Sequence, residues 1–205
     1  RDKVQSKLNE FTEYTMLRSG HLSGYFGFTK EEVTDLCTQY GMDREECARW
    51  YDGYRLTETI EVYNPLSVVS AMRNQEFGSY WSATGSFEAL KDYILADFEG
   101  MREDIVNMIS GGSVEVDVFS FLNTMNSFHS KDDVFTYLIH LGYLSYNRKE
   151  NTCQIPNEEV RKEWVRSIKL SPDYKKLIEI INASKRLLDA TVAGDTELVA
   201  KTLDA

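Results

Sequence analysis

Apolar positions in this chain recur at helical spacing in short bursts, each closed by a glycine or followed by a proline. Val33, Leu36, Cys37 and Tyr40 fall at i, i+3, i+4 and i+7 ahead of Gly41, and Thr29 with Glu32 forms a capping box in front of them. The grammar repeats at once. Asp43 and Glu46 can cap a second helix with the stripe Cys47, Trp50, Tyr51 and Tyr54, so the two predict a helical hairpin. The run Arg55 to Tyr63 has a polar centre between apolar flanks, which predicts a small strand pair or an irregular arm. Asn64 and Pro65 then occupy the N-cap and first position of a third helix, expected to reach about Arg73.

Further along, Phe87, Leu90, Tyr93, Ile94 and Phe98 predict a helix from Ser86 to about Phe98, followed by one over Met101 to Ile109 that Gly111 and Gly112 stop. The alternating piece Ser113 to Val118 predicts a short strand, and Val118 to Phe128 a connection with a helical turn. Ser130 and Asp133 cap a helix carrying Val134, Tyr137, Leu138 and Leu141, ended by Gly142. Tyr143 to Tyr146 and Cys153 to Ile155 read as strands around the polar turn Asn147 to Asn151. A closing helix after Pro156 and Asn157 buries Val160, Trp164 and Ile168. Helix, hairpin and helix over 129–170 predict a winged-helix-like unit. Ser171 and Pro172 mark a boundary, beyond which one helix over Tyr174, Leu177, Ile178 and Ile181 and another over Leu198, Val199 and Leu203 part near Gly194 and Asp195. The expected class is mainly α with small β elements.

Composition narrows the function more than the fold. With 205 residues, 42% hydrophobic and 12% aromatic, the chain can bury a core without staples. Its formal charge of -10 argues against unguided adhesion to nucleic acid or to an anionic membrane. The cysteines, Cys37, Cys47 and Cys153, are odd in number and lack CxxC spacing, which disfavours a disulfide framework or zinc knuckle and fits a reducing cytoplasm. No apolar run is long enough to span a bilayer, and the charged opening from Arg1 to Glu10 is not a signal peptide.

Candidate chemistry is sparse. Gly194 to Lys201 and Thr202 only approximates a phosphate-binding loop, lacking the second glycine and running one residue too long. Pro172, Asp173 and Lys175 imitate the letters of a PD-(D/E)XK nuclease but collapse both halves of the signature into one place. His21, His129 and His140 are not spaced to converge on a metal, and no Ser or Cys has a nucleophile-elbow context. The acid pairs Glu45 with Glu46 and Asp132 with Asp133 sit in first helical turns, where they favour the helix dipole. A nucleic-acid role for the winged-helix-like unit meets a helix with one Lys against two Asp over 131–142. In the closing helix, Arg161, Lys162, Arg166 and Lys169 are interleaved with Glu158, Glu159 and Glu163, the pattern of a solvated face. The segment Trp50 to Arg55, WYDGYR, reads first as core aromatics with a helix exit at Asp52 and Gly53.

Four separated motifs add a further expectation: YFGFTKEEV from Tyr25, YGMDREECARWYDGYRLTETIEVYNP from Tyr40, YWSATGSFEAL from Tyr80 and DDVFTYLIHLGYLSY from Asp132. Together they resemble the bacterial predicted AAA-ATPase-like family whose members commonly carry a C-terminal PD-(D/E)XK nuclease-like domain. The resemblance implies a phosphate-binding loop upstream and a nuclease-like domain downstream, so that the chain is a middle piece: a helical lid-like region over 1–128, the winged-helix-like unit over 129–170 and a helical linker over 171–205. It implies no catalytic residue and no metal ligand within the chain. ATP and Mg are expected only of the intact parent, and the partners are the parent's own ATPase core and nuclease-like domain. Arg55 is the one candidate to face nucleotide, as lid arginines of AAA-type ATPases can. Two other readings stand beside this one, a winged-helix module that binds nucleic acid and a helical scaffold for protein partners.

Overall fold

In the computed structural model the described residues are 14–81, 94, 97–119, 128–168, 180, 183–184, 186–188 and 190–203. Most of the expected helix from Ser86, most of the Val118 to Phe128 connection, the Ser171 and Pro172 boundary and nearly all of the Tyr174 to Ile181 helix lie outside them. The protein is mainly α with small β elements.

The first helix, α1 (Lys30–Tyr40), starts at the capping box foreseen from the sequence. The Thr29 hydroxyl accepts from the Glu32 amide and the Glu32 carboxylate accepts from the Thr29 amide, an arrangement that contributes about 1 kcal/mol. Gly41 closes it in the left-handed region. Asp43 caps α2 (Arg44–Tyr51), but its box is incomplete: Glu46 turns its carboxylate to Arg49 and to the Trp50 indole instead. The stripe of α2 also stops short of Tyr54. The helix ends at Tyr51, and Tyr54 belongs to β1 (Tyr54–Arg55), which pairs antiparallel with β2 (Glu61–Val62). Asn64 caps α3 (Pro65–Asn74) by accepting from the Leu66 and Ser67 amides. Helices α1, α2 and α3 enclose one core, built around Val33, Cys47, Tyr51, Val68 and Ala71.

A second, larger core draws mostly on residues C-terminal to it, with Leu17 added from the N-terminal side. Helix α4 (Met101–Ile109) buries Met101, Ile105, Met108 and Ile109 against α5 (Lys131–His140) and α6 (Glu158–Ile168). Phe98 opens a 3-10 turn (Phe98–Gly100), and Asp97 just before it takes a left-handed backbone conformation. Strands β4 (Ser145–Asn147) and β5 (Thr152–Gln154) form the expected hairpin, and β3 (Val114–Glu115) adds to the far side of β5, giving the antiparallel order β3-β5-β4. The sheet therefore draws on residues from both sides of 128. On α6 the stripe Val160, Trp164 and Ile168 is buried as its spacing requires, each side chain contributing roughly 1.5–3 kcal/mol. A helical stretch ending at 193 and α7 (Thr196–Leu203) follow. Among the described residues no helix is long and apolar enough to cross a membrane.

Candidate functional site: the seam under Trp50 to Arg55

The WYDGYR segment lies where the two cores meet. Asp52 caps the end of α2, and its side-chain Oδ1 accepts from the Gly53 amide at 2.7 Å. Gly53 has a φ of 100°, open to glycine and costly for other residues, and a β-carbon there would overlap the Pro156 carbonyl. Asn157 joins the two sides. Its Oδ1 accepts from the Val160 amide, capping α6, while its Nδ2 donates to the Asp52 carbonyl at 2.8 Å. Beside this joint the Lys162 ammonium stands 4.0 Å from the centre of the Trp50 ring. Trp50, Tyr51 and Tyr54 are buried, as core aromatics should be; Trp50 and Tyr51 belong to the first core, and Tyr54 to a small cluster with Leu56 and Val62 against which Trp81 packs.

A strap from Glu76 to Trp81 crosses the same seam. The Tyr51 hydroxyl donates to the Gly78 carbonyl at 2.9 Å and accepts from the Gly78 amide at 3.0 Å. Two residues later the Tyr80 and Trp81 amides donate to one oxygen of Glu159, Oε1, at 2.6 and 2.9 Å. The Trp81 ring stacks on Tyr143 with centroids 4.9 Å apart. Glu159 is wholly buried on α6, which corrects its reading as part of a solvated charged face; Glu163 is buried as well, while Lys162 and Arg166 remain exposed. At the joint the tip of the hairpin is tied down too, since the Arg148 guanidinium donates to the carbonyls of Leu17 and Leu56.

Arg55 is paired within its own arm. Its guanidinium donates to Glu61 Oε1 at 3.1 and 3.0 Å across the β1–β2 pair, in the register position directly opposite, with both side chains over two-fifths exposed. Its amide donates to the Ser145 hydroxyl, so the backbone here helps to hold the seam. A pocket of about 200 Å³ opens beside it, between the arm and the end of α5, with Tyr54, Tyr63, Trp81 and His140 among its walls. It has no Lys or Arg in its lining, so nothing there would neutralise a triphosphate or the anionic oxygens around its magnesium ion.

The remaining candidates stay apart. His21 lies edge-on to Tyr14, and His140 faces the pocket, with no group of metal-ligating side chains among the described residues. The cysteines are free and buried; burial pushes the Cys47 and Cys153 thiols up to about 12 and raises Cys37, which disfavours the thiolate form. Gly194 to Thr202 forms a junction between helical segments and not the strand, loop and helix that a phosphate loop needs. Pro172, Asp173 and Lys175 lie outside the described residues.

Sequence reasoning missed the strap and the Arg148 tie. One signal for the first was present: Glu159, Glu163 and Ser167 run at i, i+4 and i+8 directly beside Val160, Trp164 and Ile168, which makes the buried stripe of α6 two residues wide.

No family model matches the chain, and no solved structure matches it. Over 74 residues, 35% of the chain, it is 34% identical to a protein of Azotobacter chroococcum mcd 1 described as an uncharacterized protein in the vnfD 5'region. The matched segment spans 14% of that protein's length.

Proposed function

We propose that the chain is the non-catalytic coupling segment of a predicted AAA-type ATPase, joining an upstream nucleotide-binding core to a downstream PD-(D/E)XK nuclease-like domain. The observation that carries this reading is the position of WYDGYR, the most distinctive stretch of the sequence motifs, on the seam between the two cores. Residues that lock two packed units together make a lever able to pass a displacement from one end to the other, and coupling of this kind needs different contacts in two states. In the reading, 1–128 is lid-like and 129–170 a winged-helix-like unit that serves as a rigid spacer. ATP and Mg bind only the upstream core, and the protein works in the cytoplasm, in keeping with its free cysteines.

The test is to sequence the source reading frame on both sides of Arg1 and Ala205 and express its whole product. An upstream GKS or GKT loop, a downstream strand-borne D and ExK pair, and Mg-dependent ATP hydrolysis are the expected results. A start and stop codon closely flanking the chain would overturn the proposal and leave a free-standing binding or scaffold domain.

A further inference from the structure

Phe26, Tyr54, Tyr63 and Trp81 stand around the pocket between the β1–β2 arm and the end of α5. Two of the rings converge there: a β-carbon added at Gly142 would lie 3.1 Å from Trp81 Cη2 and 3.7 Å from Tyr54 Cε1. Tyr143 stacks against Trp81 and holds that ring as a wall. The lining contains no Lys, Arg, Asp or Glu, and His140 is its one side chain able to carry a positive charge. Negative charge lies just behind the wall. Glu159 is wholly buried, accepts from the Trp81 amide at 2.9 Å, and pairs with no Lys or Arg among the described residues. A buried carboxylate without a cationic partner is costly, because the amides that serve it offset only part of its lost hydration. Behind Tyr63 stands a second one: burial first and the neighbouring Asp52 carboxylate next hold that phenol well above its ordinary titration range.

We propose that this pocket is a binding site for a small molecule bearing a methylated ammonium group. Such a group is a cation with an apolar surface, so it enters an aromatic pocket that a strongly hydrated ion would not. Aromatic rings attract a cation through the negative charge of their faces, and the carboxylates behind Trp81 and Tyr63 add a field of the same sign without touching the ligand. An anion would meet that field with no Lys or Arg in the lining to offset it. A neutral apolar molecule would fill the space and leave the Glu159 charge uncompensated. The pocket, about 200 Å³, takes a trimethylammonium head and leaves the remainder of a ligand at the mouth. A net charge of -10 favours the approach of a cation. The site belongs to the chain itself and does not depend on the ATPase reading.

Choline and neohexyl alcohol, its carbon isostere, test the proposal, since the two differ in charge and hardly in shape. Each is titrated into the whole chain labelled with 5-fluorotryptophan and followed by fluorine NMR at about pH 8, above the ordinary titration of histidine. Choline should move the Trp81 resonance, leave those of Trp50 and Trp164 in place, and bind at least about tenfold more tightly than the isostere. Glu159→Gln keeps an oxygen for the Tyr80 and Trp81 amides and removes the charge, so it should weaken choline by about fivefold and leave the isostere unchanged. Vesicles of phosphatidylcholine, which present the same head on a lipid, should leave Trp81 unmoved. The proposal is overturned by an isostere that binds as tightly as choline or tighter, by a Trp81 resonance that choline does not move, by a choline affinity that Glu159→Gln does not change, or by a shift that the vesicles produce.

Discussion

Gly53 rests directly on Pro156, backbone against backbone, so that the exit from α2 and the entrance to α6 are built into each other. Nothing larger than glycine fits. The left-handed backbone of Gly53 compounds the restriction, because relief of the overlap by rotation would still leave a side chain in a disfavoured region.

Gly53→Ala should therefore destabilise the chain by at least about 2–3 kcal/mol, a strain term plus a displaced Pro156. Urea unfolding of the two proteins checks this. A loss under about 0.5 kcal/mol would mean that the two backbones are not in register as described.

Glu46 gives the seam a dependence on acid. Its carboxyl is held at about 2 by the Arg49 guanidinium first and the Trp50 indole second. A carboxyl lowered from 4.5 stabilises the fold in full above that value, and the contribution fades as pH falls towards about 2. The stability difference between wild type and Glu46→Gln should thus be constant between about pH 7 and about pH 5 and close progressively below that. A difference that persists unchanged in the acid limb would show that Glu46 acts by shape alone.

Arg55 and Glu61 form an exposed cross-strand pair, so a double-mutant cycle with alanine should return a coupling of about 0.2–1 kcal/mol. Equal losses on removing either partner are expected. A far larger loss for Arg55→Ala than for Glu61→Ala would point to a second partner for the guanidinium.

The chain should not shift DNA on a gel even at low salt. Six of the ten residues of α5 are buried and the rest are half-buried, so the helix has no free face to place in a groove. The turn of the hairpin is anchored by Arg148, and the net charge is -10. Salt-sensitive binding that Lys162→Glu and Arg166→Glu abolish would restore the nucleic-acid reading.

The parts of the fold legible in the sequence are those fixed by neighbours in the chain. Thr29 with Glu32 and Gly41 bound α1 because a capping box and a left-handed cap are local chemistry, and Val160, Trp164 and Ile168 mark α6 because one turn of helix sets their spacing. Tyr54 continued the helical period of Cys47, Trp50 and Tyr51, yet the partner strand at Val62 claimed it, and a pairing at long range leaves no local mark. Glu159 deceived for the same reason. A buried carboxylate among exposed charges looks like one more solvated acid until the two amides it serves, nearly eighty residues earlier, are known. The distinctive aromatic segment was recognisable as structure, but its position between two cores was not, since that depends on Pro156 and Asn157.

The central claim is that WYDGYR makes the two cores one unit, and fluorine NMR on chain labelled with 5-fluorotryptophan tests it most directly. Trp50 reports the first core, Trp164 the second, and Trp81 the strap between them. Across a urea titration the native resonances of Trp50 and Trp164 should vanish with one shared midpoint, because neither core can leave without breaking the Gly53 and Asn157 joints. Two separate midpoints for Trp50 and Trp164 would show two independent units that merely touch, and the lever would be lost with them.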